Sequence, residues 1–169
     1  MMTVAWLSAL YPDYPMRFIN RGISGNRIRD LKNRWKKDCL DLRPNLVSIL
    51  AGVNDLNWKP TATESFRADY TSILEQTQQL KCQIVLLEPF LVDFNNNYLE
   101  LKEELNKKIE VIRELSREFE TKLIPLNDIF KEACIKRSPS FWSLDGAHPT
   151  LAGHALIAQS WIKYAIDEL

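Results

Sequence analysis

Two short and almost continuous apolar runs do most to limit how this chain can fold. They are NLVSILAG at residues 45–52 and CQIVLLEP at residues 82–89. A strand with one solvent-exposed face shows alternating polar and apolar residues, whereas runs like these are typical of strands covered on both faces. Such strands occur in parallel sheets that have helices on both sides. The two runs therefore predict an α/β protein.

The segments around the two runs agree with a parallel sheet. We expect amphipathic helices at residues 3–11, 27–41, 63–80 (with Thr63 as N-cap), 98–120, 127–137 and 150–169, and two further strands at 16–20 (MRFIN) and 121–126 (TKLIPL). Right-handed crossovers between parallel strands bring the carboxyl ends of the strands to one edge of the sheet. Active sites of such sheets lie outside that edge, so the residues that follow strands are the functional candidates.

Composition excludes several classes of function. The 169 residues fit one domain, and 22 basic residues balance 22 acidic ones, which gives no reason to expect binding to nucleic acid or to a membrane. The basic stretch NRIRDLKNRWKK at 26–37 is interpreted as the solvated face of a helix rather than as a polyanion-binding patch. The opening residues lack the features of a signal peptide and no run reaches membrane-spanning length, so a cytoplasmic location is expected.

The cysteines and histidines give no support for a metal or a disulfide framework. The three cysteines are odd in number and far apart, and they form no C-x-x-C pair, so reduced structural thiols are expected. The two histidines lie six positions apart without a carboxylate or thiolate cluster around them. We expect neither a metal nor a cofactor.

The stretch SLDGAHPT, residues 143–150, carries the clearest chemical signal. Asp145 precedes His148 by three positions, and a proline follows at once. In one short loop this spacing lets the carboxylate orient the imidazole, which then acts as a general base. A loop-stabilising hydrogen-bonded pair is the alternative interpretation.

Two further groups follow the predicted strands. Gly25, in NRGISGN, suits a turn with positive φ that leaves its backbone N–H directed at a ligand. Asn54 follows the apolar run at 45–52 by two residues, and at the end of a strand its side-chain amide can point at an oxygen atom of a ligand. With an Asp–His pair, two such donors are the parts that acyl transfer needs, namely an oxyanion hole and an oriented base. Taken singly, Gly25 is equally a turn glycine, and Asn54 with Asp55 equally a turn or a cap.

Three segments resemble a known family. They are similar to the second, third and fifth sequence blocks of the SGNH hydrolases, also called GDSL esterases, and are NRGISGNRIRDLKNRW (20–35), VSILAGVNDLNW (47–58) and DGAHPTLAGHALIA (145–158). Their sequences resemble most closely those of the bacterial branch that contains acetylxylan esterases. The resemblance implies a three-layer α/β/α, flavodoxin-like fold with a five-stranded parallel sheet. It also implies an oxyanion hole made by the Gly25 N–H and the Asn54 amide, with His148 as general base and Asp145 as the residue that orients it.

One family block is missing from the sequence. The first block is a strand followed by Gly-Asp-Ser, whose serine is the nucleophile, and no Gly-Asp-Ser occurs here. In the family that strand lies centrally, between the strands that correspond to 16–20 and to the run after Asn45. We therefore expect a single domain over 1–169 that is N-terminally incomplete and lacks the first central strand; a true short form, completed by a second chain, is the alternative.

Other residues are weaker candidates. Ser24 lies beside Gly25 but not in a G-x-S-x-G elbow, and Ser143 is too close to His148 for an in-line geometry, so both are expected to be structural. His154 is expected to pack or cap rather than to serve as a second base. Trp58 is expected either to form the wall of a small acyl or sugar pocket or only to pack.

These observations predict a serine esterase that acts on short acyl esters, such as acetyl groups on carbohydrate. The expected partners are a small-molecule or carbohydrate ester and no nucleic acid or membrane, while the oligomeric state is left open. The first alternative is a non-catalytic relative that binds a sugar or acyl ligand. The second is an interaction protein that assembles through the charged helix at 98–120.

Overall fold

A three-stranded parallel sheet forms the centre of the computed structural model, which describes residues 2–56, 60–94 and 99–166. The strands are β1 (Leu46–Leu50), β2 (Gln83–Leu87) and β3 (Lys122–Ile124), in the order β1-β2-β3. In the register, Val47 lies opposite Ile84, and Leu86 lies opposite Leu123. The three parallel strands agree with the expectation that a strand of the family's sheet is absent.

Seven α-helices and two short 3₁₀ turns surround the sheet in the described part of the chain. The α-helices are α1 (Met2–Leu10), α2 (Ile28–Asp38), α3 (Thr63–Gln78), α4 (Leu99–Glu118), α5 (Leu126–Lys136), α6 (Pro139–Trp142) and α7 (Leu151–Ala165), and the 3₁₀ turns are Leu40–Leu42 and Asn54–Leu56. The predicted helices are confirmed with shifts of a few residues at their ends, except that residue 98 and residues 167–169 of the predictions lie outside the described residues. The single turn of α6 had no periodicity by which the sequence could reveal it.

The core is divided between the two faces of the sheet. On one face, Ile84 and Leu86 of β2 pack with apolar residues of α2, α3 and α4. On the other face, Val85 and Leu87 pack with α5 and α7. Because side chains alternate along a strand, the apolar run in β2 supplies both cores at once. This confirms the three-layer α/β/α arrangement.

Three details of the sequence prediction are wrong. Residues 16–20 form no strand, and Phe18 and Ile19 are exposed, because a strand needs a hydrogen-bonded neighbour and none lies beside this segment in the part of the chain that the structure describes. β1 is covered on both faces only in part: Val47 and Ile49 pack in one core and Leu46 against the other, but Leu50 at its end is 47% exposed. Thr63 is the first residue of α3 rather than its N-cap, which is Ala62.

The charged face of α4 is largely paired within the chain. Arg67 of α3 donates to Glu114 at 2.6 Å and to Glu118 at 2.8 Å. Lys107 of α4 lies within 3.1 Å of Glu103 and 2.7 Å of Glu104. These contacts join α3 and α4 and neutralise much of the helix that the sequence marked as strongly charged.

The cysteines are free thiols, with Cys39 buried and Cys82 and Cys134 half-buried. Burial raises the pKa of Cys39 to about 11, so this thiol is a poor nucleophile at neutral pH. No helix within the described ranges is both long and apolar enough to cross a bilayer.

Candidate active site

Asp145 and His148 form a hydrogen-bonded pair in the loop before α7. The Nδ1 atom of His148 lies 2.7 Å from Oδ2 of Asp145, and the backbone N–H of His148 donates to Oδ1 at 2.8 Å. The His148 side chain is 70% exposed and that of Asp145 is 54% exposed. With Nδ1 held by the carboxylate, Nε2 is the ring nitrogen that remains to exchange a proton with another group.

Ser143 holds the loop of residues 143–150 in the conformation that brings Asp145 and His148 together. Ser143 is fully buried; its hydroxyl donates to the His148 carbonyl at 2.9 Å and accepts from the Gly146 N–H at 2.9 Å. Gly146 has a φ of 99°, a conformation that favours glycine. Ser143 is therefore a structural residue, as the sequence predicted, because both of its hydrogen-bonding roles are used inside the loop.

The same loop is fixed onto the start of α7. Thr150 is the N-cap; its hydroxyl accepts from the Gly153 N–H at 3.2 Å and donates to the Phe141 carbonyl at 2.7 Å. A Cβ atom at position 153 would lie 2.1 Å from the Trp142 carbonyl oxygen. Gly153 is thus required for the close approach of the loop and helix.

The electrostatics of the pair keep Asp145 charged. The pKa of its carboxyl lies below the ordinary value, chiefly because the backbone N–H of His148 bonds to the charged form, and then because the His148 side chain and the Ala147 N–H do the same. A carboxylate that stays ionised stabilises an imidazolium beside it. The arrangement is suited to accepting a proton at Nε2.

Asn54 and the turn that contains Gly25 lie together at the end of β1. Gly25 has a φ of 80° in a turn closed by the Asn26 N–H and the Ile23 carbonyl at 3.2 Å, as in a type II turn. Within the described residues, no hydrogen bond joins the Gly25 N–H. The Asn54 amide donates to the Asn26 carbonyl at 3.0 Å, and its nitrogen carries a second N–H. The structure therefore brings these two candidate donors together.

Asp55 holds this arrangement in place. It is fully buried; Oδ2 accepts the Ile28 N–H at the start of α2 at 3.1 Å, and Oδ1 accepts the Thr61 hydroxyl at 2.9 Å. Burial raises the pKa of Asp55 above the ordinary value, although both hydrogen bonds favour the charged form. The sequence suggested a cap at this position, but not that the helix it caps is α2, 27 positions away.

The segment after β2 connects the two halves of the site. A Cβ on Gly52, in the loop after β1, would lie 3.0 Å from a carbon of the Pro89 ring. Three residues further on, the Val92 N–H donates to the Gly146 carbonyl at 2.8 Å. Both halves therefore lie at the carboxyl edge of the sheet, where the alternation of strands and helices predicted them.

A cavity of about 410 Å³ adjoins this segment, between residues 91–93, α4 and α5. Apolar residues such as Leu105 and Phe130 line it together with the Asp93–Lys102 ion pair. His148 is not among its lining residues.

The remaining candidates lie elsewhere. Ser24 is exposed beside Gly25, and His154 is exposed on the first turn of α7 rather than packed in the core. Trp58 lies outside the described residues. Across the described ranges, no three His, Cys, Asp or Glu side chains come together in a group that could hold a metal ion.

The parallel sheet of this α/β/α fold thus carries an Asp–His pair and two candidate amide donors at its carboxyl edge, and groups of these kinds serve acyl-transfer hydrolases. The sequence profile of the GDSL-like lipase/acylhydrolase family matches residues 2–156. The chain belongs to this family, and by family it is an ester hydrolase.

Acetylxylan esterase from Geobacillus stearothermophilus is 29% identical over 170 residues, which cover 95% of this chain and 77% of the relative. The solved structure of that esterase superposes with a TM-score of 0.91 at 27% identity, over 99% of this chain and 80% of that one. A structure named as a GDSL-like lipase from Parabacteroides merdae gives a TM-score of 0.87 at 32% identity, over 95% of this chain and 78% of that one.

Structures of catalytic mutants of the Geobacillus stearothermophilus esterase carry alanine in place of a serine, an aspartate and a histidine. The aspartate and the histidine of that enzyme are three positions apart in its own numbering, as Asp145 and His148 are here.

Proposed function

We propose that the protein hydrolyses short acyl esters, with acetyl groups on carbohydrate as the preferred substrates, through serine–histidine–aspartate chemistry. The observation that carries the proposal is the 2.7 Å contact between Nδ1 of His148 and Asp145, which leaves Nε2 available as a general base. The acetylxylan esterase activity named for the Geobacillus stearothermophilus relative supports the choice of substrate.

In the proposed reaction, a serine hydroxyl attacks the ester carbonyl while Nε2 of His148 takes its proton. Asp145 stabilises the resulting imidazolium. The Gly25 N–H and the Asn54 amide donate to the oxyanion of the tetrahedral intermediate, and the imidazolium then returns the proton to the leaving alcohol. Water repeats these steps on the acyl-enzyme and releases the free acid.

We propose that the serine belongs to the family's Gly-Asp-Ser block, which the sequence does not contain. Ser143 is excluded by burial and by its two hydrogen bonds in the loop. Ser24 lies in the turn beside the oxyanion donor Gly25.

A fluorophosphonate, which labels activated serines, tests the proposal. Two proteins are compared: the 169-residue chain and a completed chain, in which the N-terminal block of the Geobacillus stearothermophilus esterase, with its catalytic serine, is joined ahead of it. We expect labelling of that serine in the completed chain and its loss in His148→Ala. An adduct on Ser24 of the 169-residue chain would assign the nucleophile to this chain itself. A completed chain that binds acetylated xylo-oligosaccharides in calorimetry without labelling or acetate release would instead indicate a non-catalytic binding protein.

A further inference from the structure

Lys108 is a fully buried cation in the middle of α4, and the reaction proposed above does not use it. Its side chain has no exposed surface. A lysine ammonium is strongly hydrated in water, and its burial is unfavourable unless protein groups replace the lost hydration. The groups that surround it therefore indicate what the lysine does.

The two hydrogen-bond partners of Lys108 lie where the chain enters α3. Nζ donates to the Thr61 carbonyl at 2.5 Å and to the Thr63 hydroxyl at 3.3 Å. The Glu104 carboxylate lies 3.7 Å away, and Nζ stands 5.5 Å from the centre of the Phe66 ring. Two of these four contacts thus hold the segment that leads into α3.

Thr61 passes this restraint on to Asp55. Its hydroxyl donates to the Asp55 carboxylate at 2.9 Å, and its N–H donates to the Asp55 carbonyl at 2.9 Å. Asp55 in turn accepts the Ile28 N–H at the start of α2. The turn with Gly25 and Asn26 immediately precedes α2, and the Asn54 amide bonds to Asn26.

Apolar contacts join the same two parts of the chain as the hydrogen bonds of Lys108, Thr61 and Asp55. Leu56, in the same turn as Asn54, is buried against Leu105 and Ile109. Leu105 and Ile109 lie on either side of Lys108 along α4. The helix therefore contacts the loop through an apolar residue and a cation at neighbouring points.

We propose that Lys108 is a positioning residue for the oxyanion hole: through Thr61 and Asp55 it fixes Asn54 against the turn that presents the Gly25 N–H. The inference rests on the proposed function for the purpose of the hole, but the physical link is a property of the 169-residue chain alone. An oxyanion donor misplaced by about 1 Å loses much of its effect on the transition state.

Amide hydrogen exchange on the 169-residue chain tests the link without any need for catalysis. The variants are Lys108→Met, which keeps an unbranched side chain one atom shorter and removes the charge, and Lys108→Arg, which keeps the charge. Lys107→Met is the matched control. Among the described residues, Lys107 pairs with Glu103 and Glu104 of α4 and not with Thr61 or Thr63, so this variant also controls for a change at Glu104. In Lys108→Met we expect exchange at Ile28 and Thr61 to accelerate by about tenfold or more while the β2 amides stay protected. Lys108→Arg should restore part of the protection, and Lys107→Met should change neither set.

Unchanged exchange at Ile28 and Thr61 in Lys108→Met would overturn the proposal. A loss of protection in β2 as large as that at Ile28 and Thr61 would also overturn it, because Lys108 would then stabilise the core as a whole. If Lys108→Met does not fold, Thr61→Val tests the proposal instead, because it removes only the hydroxyl contact with Asp55. Faster amide exchange confined to the region of Ile28 supports the proposal, and unchanged exchange there overturns it.

The completed chain adds a kinetic readout. Lys108→Met should lower kcat by about tenfold or more with little change in KM, since the interaction lost acts on the transition state. A fall in kcat/KM through KM alone would contradict a positioning role. Absence of acetate release from the unmutated completed chain would refute the proposed function, and the exchange experiment would still decide the role of Lys108.

Discussion

The carboxylate of Asp145 binds His148 twice, through the ring Nδ1 at 2.7 Å and through the backbone N–H at 2.8 Å. Asp145 thereby fixes both the backbone position of His148 and the orientation of its imidazole ring. Because the two contacts use different carboxylate oxygens, they can be separated experimentally.

The first prediction concerns the charge of Asp145. In His148→Ala, the pKa of Asp145 should rise toward its ordinary value but only part of the way, because the backbone N–H groups of residues 147 and 148 still bond to the carboxylate. Carbon-13 NMR titration of the carboxyl measures this. A pKa that returns fully to the ordinary value would show that the backbone contacts contribute nothing.

The second prediction concerns Asn54. Asn54→Ala in the completed chain should lower kcat about 10²–10³-fold, since it removes an oxyanion donor. It also removes the bond to the Asn26 carbonyl, so the melting temperature is measured in parallel. The control is Asn20→Ala, which removes an exposed amide whose oxygen accepts the N–H of the nearby Gly22. Equal losses of activity in the two variants would contradict the assignment.

The third prediction concerns Gly153. Gly153→Ala should destabilise the fold by about 1–3 kcal/mol, because the new methyl group meets the Trp142 carbonyl and the backbone must move. Gly22→Ala is the control, since its Cβ would meet only the side chain of Asn20, at 3.2 Å. Urea unfolding of both variants gives the comparison. A Gly153→Ala protein as stable as the parent would show that the loop and α7 are not packed as closely as described.

The fourth prediction concerns the pH dependence of stability at Asp55. Its pKa in the folded protein is raised by burial, so the folded state takes up a proton more readily than the unfolded state, and this group favours folding more as the pH falls. The stability of the protein relative to Asp55→Asn should therefore increase from pH 7 toward pH 4.5. Denaturant unfolding at several pH values measures the difference. A difference that shrinks as the pH falls would mean that the hydrogen bonds from Ile28 and Thr61 outweigh burial.

Much of the fold and of the site follows from short stretches of sequence. The apolar run in β2 supplies both faces of the sheet, so its pattern alone predicted a covered parallel strand. The Asp145–His148 pair depends only on residues within one loop, and its spacing predicted the contact. Asn54 and Gly25 could be placed at one edge because they follow strand-like segments.

Other features depend on partners that are distant in the chain, and local patterns do not contain them. Residues 16–20 have the apolar character of a strand, but pairing requires a neighbouring strand; they form no strand, and residues 17–20 are exposed. The run that forms β1 looked covered on both faces, yet its position at the sheet edge leaves Leu50 half-exposed. In the sequence, Lys108 is one of many charges on a predicted amphipathic helix. Its burial depends on the contacts that Thr61 and Thr63 make with α4.

The most direct test of the account is acetate release from acetylated xylo-oligosaccharides by the completed chain, with His148→Ala compared with His154→Ala. His154 is a suitable control because it is the same residue type, exposed, six positions away and without a role in the proposed reaction. His148→Ala should lower kcat about 10²–10⁴-fold, and His154→Ala should leave it unchanged. Undiminished turnover in His148→Ala would contradict the assignment of His148 as the general base.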